Sequence, residues 1–202
     1  MAVQARIAPF INVTFWVTSE FWEDRSYYHK GIDIATSTAG GSQPVYSVCN
    51  GVVVRSEFTG SNEQKIGYGN VIIVKSTDNG MGYLFAHLNS RDVNVGDTVV
   101  IGQKLGMEGE TGEAYGMHLH FEMQDLTNHD WDYSHVRELY SNPADFMGIP
   151  NVEGTECYYD GTPYVPPTPS VTVKKHKFKF YFYKRYFGSW QNTFFIIILI
   201  CN

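Results

Sequence analysis

The feature that most constrains the fold of this chain is the brevity of its apolar runs. Residues 11–18, 32–35, 45–49, 51–55, 70–75, 82–87, 98–101 and 117–123 are rich in β-branched and aromatic side chains. Each run is cut off by turn formers, as in the Gly-, Asn-, Asp- and Ser-rich clusters at 38–42, 77–80 and 109–112. Runs of this length bounded by turn residues read as strands. Only residues 134–140 carry a trace of helical periodicity. An all-β, antiparallel domain over residues 1–150 is therefore predicted, closed by Pro143 and Pro150. The following stretch, 151–170, is rich in Pro, Thr, Tyr and Gly and reads as an extended linker. Residues 171–202 form a basic, aromatic tail.

The charge distribution narrows the partners. The formal charge of −6 conceals six Lys or Arg and no acid in 171–202, against nine basic and 21 acidic residues before it. An acidic body with no phosphate-cradling Gly-rich loop and no basic stripe argues against nucleic acid as a partner. Cys49, Cys157 and Cys201 are widely spaced and odd in number, so free thiols are expected. Residues 1–10 lack an apolar run of signal-peptide length, and no stretch approaches the roughly 18 apolar residues of a spanning helix. A chain made in the cytoplasm is the expectation.

The chemistry concentrates around His118-Leu119-His120. In an extended chain, residues two apart share a face, so both imidazoles would point one way while Leu119 turns into the core. Imidazole is the commonest side-chain metal ligand. His29 and Asp33 lie four apart across Gly31, and the β-branched Ile32 and Ile34 favour a strand that presents the two together. With His120 they make two nitrogens and a carboxylate, the three-ligand set that leaves a catalytic zinc one open position. Iron competes, since the same set serves non-haem oxygenases. No His-Glu-x-x-His helix supplies a glutamate base. His87 and His118, the remaining histidines in strand-like context, are the candidates for proton transfer. His129, His135 and His176 have no partner pattern and read as surface residues. Tyr27, Tyr28 and Tyr83 are expected as rim packing, with groove lining the competing reading.

These residues, in this order, resemble the lysostaphin/LytM-type zinc metalloendopeptidases that cut peptidoglycan peptides. The resemblance rests on His29-x-x-x-Asp33, Tyr68-Gly69-Asn70, the Tyr-x-x-Ala-His-Leu of residues 83–88, and the Val-Gly-Asp-x-Val-x-x-Gly-Gln-x-x-Gly of residues 95–106. It continues through Gly109, Thr111-Gly112 and Gly116 to His118-Leu119-His120-Phe121-Glu122. It covers about residues 15–149. The resemblance implies an antiparallel barrel-sandwich of the duplicated hybrid motif type, with a zinc groove between loops. It implies one zinc ion held by His29, Asp33 and His120, His87 and His118 as the catalytic pair, and bacterial peptidoglycan as the partner. Met117, Phe21-Trp22 and Cys49 depart from the usual pattern, which bears on rim shape and substrate preference.

Two other functions compete with this one. The 93–106 run also resembles biotinyl and lipoyl carrier modules, and His29-Lys30-Gly31-Ile32-Asp33 a phosphotransferase carrier domain, but neither accounts for residues 118–122. A non-catalytic activator or binding module of the same fold would be expected to lack some of the five site residues, all of which are present. In the tail, residues 174–187 alternate basic with aromatic side chains and 194–200 are apolar. Weak contact with an anionic wall or bilayer, packing on the body, or an extension without a selected role are the three readings. A wall-cutting enzyme without a secretion signal is expected to act from a virion or after host lysis, as a bacteriophage lysin does; an exported bacterial enzyme is the second context.

Overall fold

The computed structural model describes residues 2–24, 28–36 and 41–162. The tail, the end of the linker, Tyr27, His176 and Cys201 lie outside the described residues. The alternating runs form strands, numbered here along the chain, in two sheets. The larger sheet runs β1 (Val3–Gln4), β12 (Glu156–Tyr159), β2 (Val13–Ser19), β3 (Ile32–Thr36), β11 (Leu119–Asp125), β7 (Met81–Leu88), β6 (Ile66–Ser76), β5 (Gly51–Ser61) and β9 (Thr98–Val99). The smaller runs β4 (Pro44–Tyr46), β10 (Lys104–Met107) and β8 (Ser90–Arg91). Every pairing is antiparallel except β1 with β12. The fold is all-β, as the alternation implies.

The middle of the large sheet is apolar on both faces. Ile72, Val74, Phe85, Leu119 and Phe121 point into the main core with Phe15, Ile32 and Ile34. Val71, Ile73, Leu84 and Ala86 point the other way, under Leu126, Trp131 and Tyr68. Burial on both sides makes these strands a stiff base, each fully buried Ile, Leu or Phe contributing about 1.5–3 kcal/mol. The functional side chains stand on the second face.

Three expectations change. Residues 151–162 are not a linker: Glu156–Tyr159 forms β12, which joins the sheet between β1 and β2. Its alternation explains why, since Cys157 and Tyr159 are 0 % and 3 % exposed. The 134–140 pattern yields only a three-residue 3-10 turn, Arg137–Leu139. Pro143 does not simply end the domain; it starts the helix α1, Pro143–Met147. Proline at the first helical position, an Asn142 side chain accepting the Ala144 N–H, and left-handed Gly148 make a complete set of start and stop signals. Cys49 and Cys157 are free, buried thiols.

Candidate metal centre and its groove

Strand β11 sets the geometry. Leu119 and Phe121 are fully buried in the core, so His120 and Glu122 face the other way, with His118 just before the strand on the same side. Asp33 on β3 is paired directly with His120, and Ala86 on β7 flanks His120 on its other side. Paired residues on one face of a sheet bring their side chains together.

His29 arrives differently from the strand placement its spacing suggested. It lies ahead of β3, in a turn where its N–H donates to the Glu23 carbonyl (3.1 Å) and its carbonyl accepts from Trp22 N–H (2.6 Å). Its Nδ1–H donates to the Glu20 carbonyl at 2.7 Å, which leaves the Nε2 lone pair facing the cluster. Gly31 allows the turn to lie flat on β11. A Cβ there would stand 2.5 Å from the Phe121 carbonyl oxygen and 2.9 Å from His120 Cε1. Gly31→Ala is therefore expected to destabilise the protein by about 1–3 kcal/mol, as overpacking does, and to weaken metal binding. Thermal melting and zinc titration check this; an unchanged melting temperature and affinity would contradict it.

Three ligand atoms converge. His29 Nε2 lies 3.1 Å from Asp33 Oδ1 and 3.0 Å from His120 Nδ1, and His120 Nδ1 lies 2.7 Å from Asp33 Oδ1. Ligands of a tetrahedral zinc, each about 2.0–2.1 Å from the ion, sit about 3.3 Å apart, so a small opening of this triangle admits it. All three residues are buried. The fourth partner of the cluster is Glu122, fully buried, which accepts from His120 Nε2–H at 2.8 Å and from the Tyr68 hydroxyl at 2.6 Å. That contact fixes the His120 ring with Nδ1 toward the site, the arrangement by which carboxylates orient metal-binding histidines.

The charges follow from this packing. Burial disfavours charge on Asp33, but the neighbouring His120 and His29 outweigh it and hold the carboxyl well below its ordinary range. Burial likewise opposes charge on His120, yet Asp33 and Glu122 raise it to about 9. In the metal-free protein His120 thus carries a proton that a metal ion would replace.

His87 reaches the site by a device of its own. Strict alternation along β7 would put Phe85 and His87 on one face. Instead the β6–β7 register slips between Asn70–Leu88 and Ile72–Phe85, leaving an extra residue on β7. His87 takes φ 61, a left-handed conformation uncommon for a residue with a Cβ. This bulge swings the imidazole to the metal side, 4.8 Å from the His118 ring and 5.7 Å from that of His120. Its Nδ1–H donates to the Thr111 carbonyl at 2.8 Å, and that of His118 to the Gly116 carbonyl at 2.8 Å. Burial and the neighbouring His120 and His118 push the His87 imidazole down to about 3, so it is neutral. His118 Nε2 lies 3.7 Å from Asp33 Oδ1.

Both anchoring carbonyls belong to one loop between β10 and β11. Thr111 ties that loop down: its hydroxyl donates to the Leu88 carbonyl and accepts the Asn70 N–H. Gly69, at φ 62, lies against it where any Cβ would collide with Thr111. The five site residues open into a groove of about 590 Å³ walled by Lys30, Tyr68, Tyr115, Met117 and Tyr133.

Among the tyrosines singled out in the sequence, Tyr83 belongs to the core, stacked on Phe121, and Tyr28 stacks on Trp22 outside the groove lining. His129 is exposed, whereas exposed His135 also lines the groove. Glu122, Tyr68 and Tyr133 were not anticipated as site residues. Glu122 had a usable signal, because 118, 120 and 122 continue one period-two face. Tyr68 stood in the Tyr68-Gly69-Asn70 motif, which did not disclose its contact with Glu122, and Tyr133 had no signal.

Two histidines and an aspartate converging in a groove on a β-sheet face, beside two further anchored histidines, make a donor set that could hold a metal ion. The description Peptidase family M23 matches residues 27–132, just over half of the chain, and the chain belongs to that family. Glycyl-glycine endopeptidase ALE-1 of Staphylococcus capitis is 33 % identical over 100 residues, covering 50 % of this chain and 25 % of the relative. Peptidoglycan DD-endopeptidase ShyA of Vibrio cholerae is 33 % identical over 97 residues, covering 47 % and 20 %. The chain thus spans about a quarter or less of the length of these curated relatives. Among solved structures, a variant of the catalytic domain of the prophage-encoded M23 protein EnpA of Enterococcus faecalis aligns with a TM-score of 0.52 at 25 % identity, covering 68 % of this chain and 95 % of that one.

Proposed function

We propose that this chain is a zinc-dependent endopeptidase that hydrolyses peptide cross-links or bridges of bacterial peptidoglycan. The convergence of His29 Nε2, Asp33 Oδ1 and His120 Nδ1 carries the reading. Those residues would hold the metal as two nitrogens and a carboxylate, which leaves a coordination position open. Zinc, when bound, supplies Lewis-acid polarisation of a carbonyl and a lowered pKa for water.

His87 and His118 do the proton work. Each has its Nδ1–H fixed on a backbone carbonyl, so each presents Nε2 to the groove. A neutral imidazole with a free Nε2 accepts the proton of the attacking water. The pair then offers that proton to the oxyanion or returns it to the departing amine. Relatives named as glycyl-glycine and peptidoglycan endopeptidases support cell-wall peptides as the substrate class. We further propose a phage-lysin setting; a prophage-encoded M23 protein is among the proteins of similar fold.

The test is digestion of purified peptidoglycan. Zinc-loaded protein is expected to release new amino termini, identified by mass spectrometry of the products, and chelator-treated protein to release none until zinc is restored. Equal release by a metal-free preparation would remove the reading.

A further inference from the structure

Lys30 is the only Lys or Arg among the residues lining the groove, and the proposed chemistry leaves it unused. Lys30 follows His29 directly, and its ammonium donates to the Tyr133 carbonyl at 3.2 Å. It lies 5.4 Å from the centroid of the Tyr68 ring and 5.8 Å from that of Tyr140. These contacts hold the cation in place without neutralising it, and no carboxylate among the described residues forms a salt bridge with it. An ammonium has three N–H donors, and the Tyr133 carbonyl takes one. Tyr68 also sets the reach. Its ring stands 5.8 Å from the His120 imidazole and 5.4 Å from Lys30 Nζ, which places the cation no more than about three extended residues, at about 3.3 Å each, from the metal ligand.

From this geometry we infer that Lys30 is a specificity-determining residue, selecting peptides that carry a free carboxylate beside the scissile bond over uncharged ones. The inference rests on the hydrolase reading and deepens it. Stem peptides of peptidoglycan carry such carboxylates or their amides, whereas glycine bridges carry neither. A substrate carboxylate reaching Lys30 makes a charge-assisted hydrogen bond inside a partly desolvated groove; a carboxamide makes a weaker, uncharged one. Burial disfavours the Glu122 carboxylate, but hydrogen bonding from His120 outweighs this and the more distant Lys30 adds to it, so the carboxyl stays below the usual range. The test must therefore separate recognition from upkeep of the site.

The experiment uses two synthetic cross-linked peptides, identical except for a carboxylate or a carboxamide next to the bond cut. Zinc-loaded wild-type protein is expected to favour the carboxylate form about tenfold in kcat/KM, as a single charged hydrogen bond implies. Lys30→Gln brings the ratio of the two substrates to within about twofold, and Lys30→Arg retains the preference. Because each ratio is taken on one protein, a general loss of activity or of metal does not imitate the effect. Equal cleavage of both peptides by wild type, or an unchanged ratio in Lys30→Gln, overturns the inference. Calorimetric binding of both peptides to His118→Ala decides the point without turnover. A tenfold binding preference with no cleavage by wild type would sink the hydrolase reading and leave the role of Lys30 intact; equal binding would sink the latter.

Discussion

His120→Ala and Asp33→Ala are each expected to lose bound zinc and hydrolysis together while the protein stays folded. Zinc sites of four ligands bind with about 10–16 kcal/mol, so one ligand is worth about 3 kcal/mol, or about a hundredfold in affinity. Two remaining ligands would not retain the ion through dialysis. The wild-type site carries a pH signature as well. With His120 protonated up to about 9 in the metal-free state, zinc must displace that proton at neutral pH. Uptake therefore releases protons, and apparent affinity rises with pH until about 9 and then levels off. Metal analysis after dialysis, melting curves and calorimetry in buffers of different ionisation enthalpy read these effects. A His120→Ala protein with a full complement of zinc would disprove the ligand assignment.

His118→Ala and His87→Asn should behave in the opposite way, keeping zinc and losing turnover by about 10²- to 10⁴-fold, the usual worth of a general acid or base. Asparagine is the better probe at position 87 because it tolerates the left-handed backbone found there. A stability change beyond about 1 kcal/mol in His87→Asn would show that the ring is mainly structural. Wild-type kcat/KM in His118→Ala would remove that residue from proton transfer.

Particular residues show what the sequence discloses. His118, His120 and buried Leu119 follow from period-two alternation, and the ladder realises it. The His29–Asp33 pairing was legible, but the turn holding His29 was not, since it depends on carbonyls at Glu20 and Glu23 that no pattern of side chains encodes. His87 is the clearest limit. Alternation alone assigns it to the core side, and only a slipped register with positive φ turns it round. The linker reading of 151–170 erred over 151–162 because the Pro-rich composition of 163–169 was carried back over the alternation of Cys157 and Tyr159, which a waiting edge of the sheet makes decisive.

The β10–β11 loop contributes rim residues Tyr115 and Met117 and also the carbonyls of Thr111 and Gly116 that receive the two imidazole N–H groups. Substrate choice and tautomer control are therefore written into the same few residues. Transplanting this segment between relatives to redirect cleavage would retune the acid–base pair at the same stroke, whereas altering Tyr115 or Met117 alone would leave the proton donors where they are.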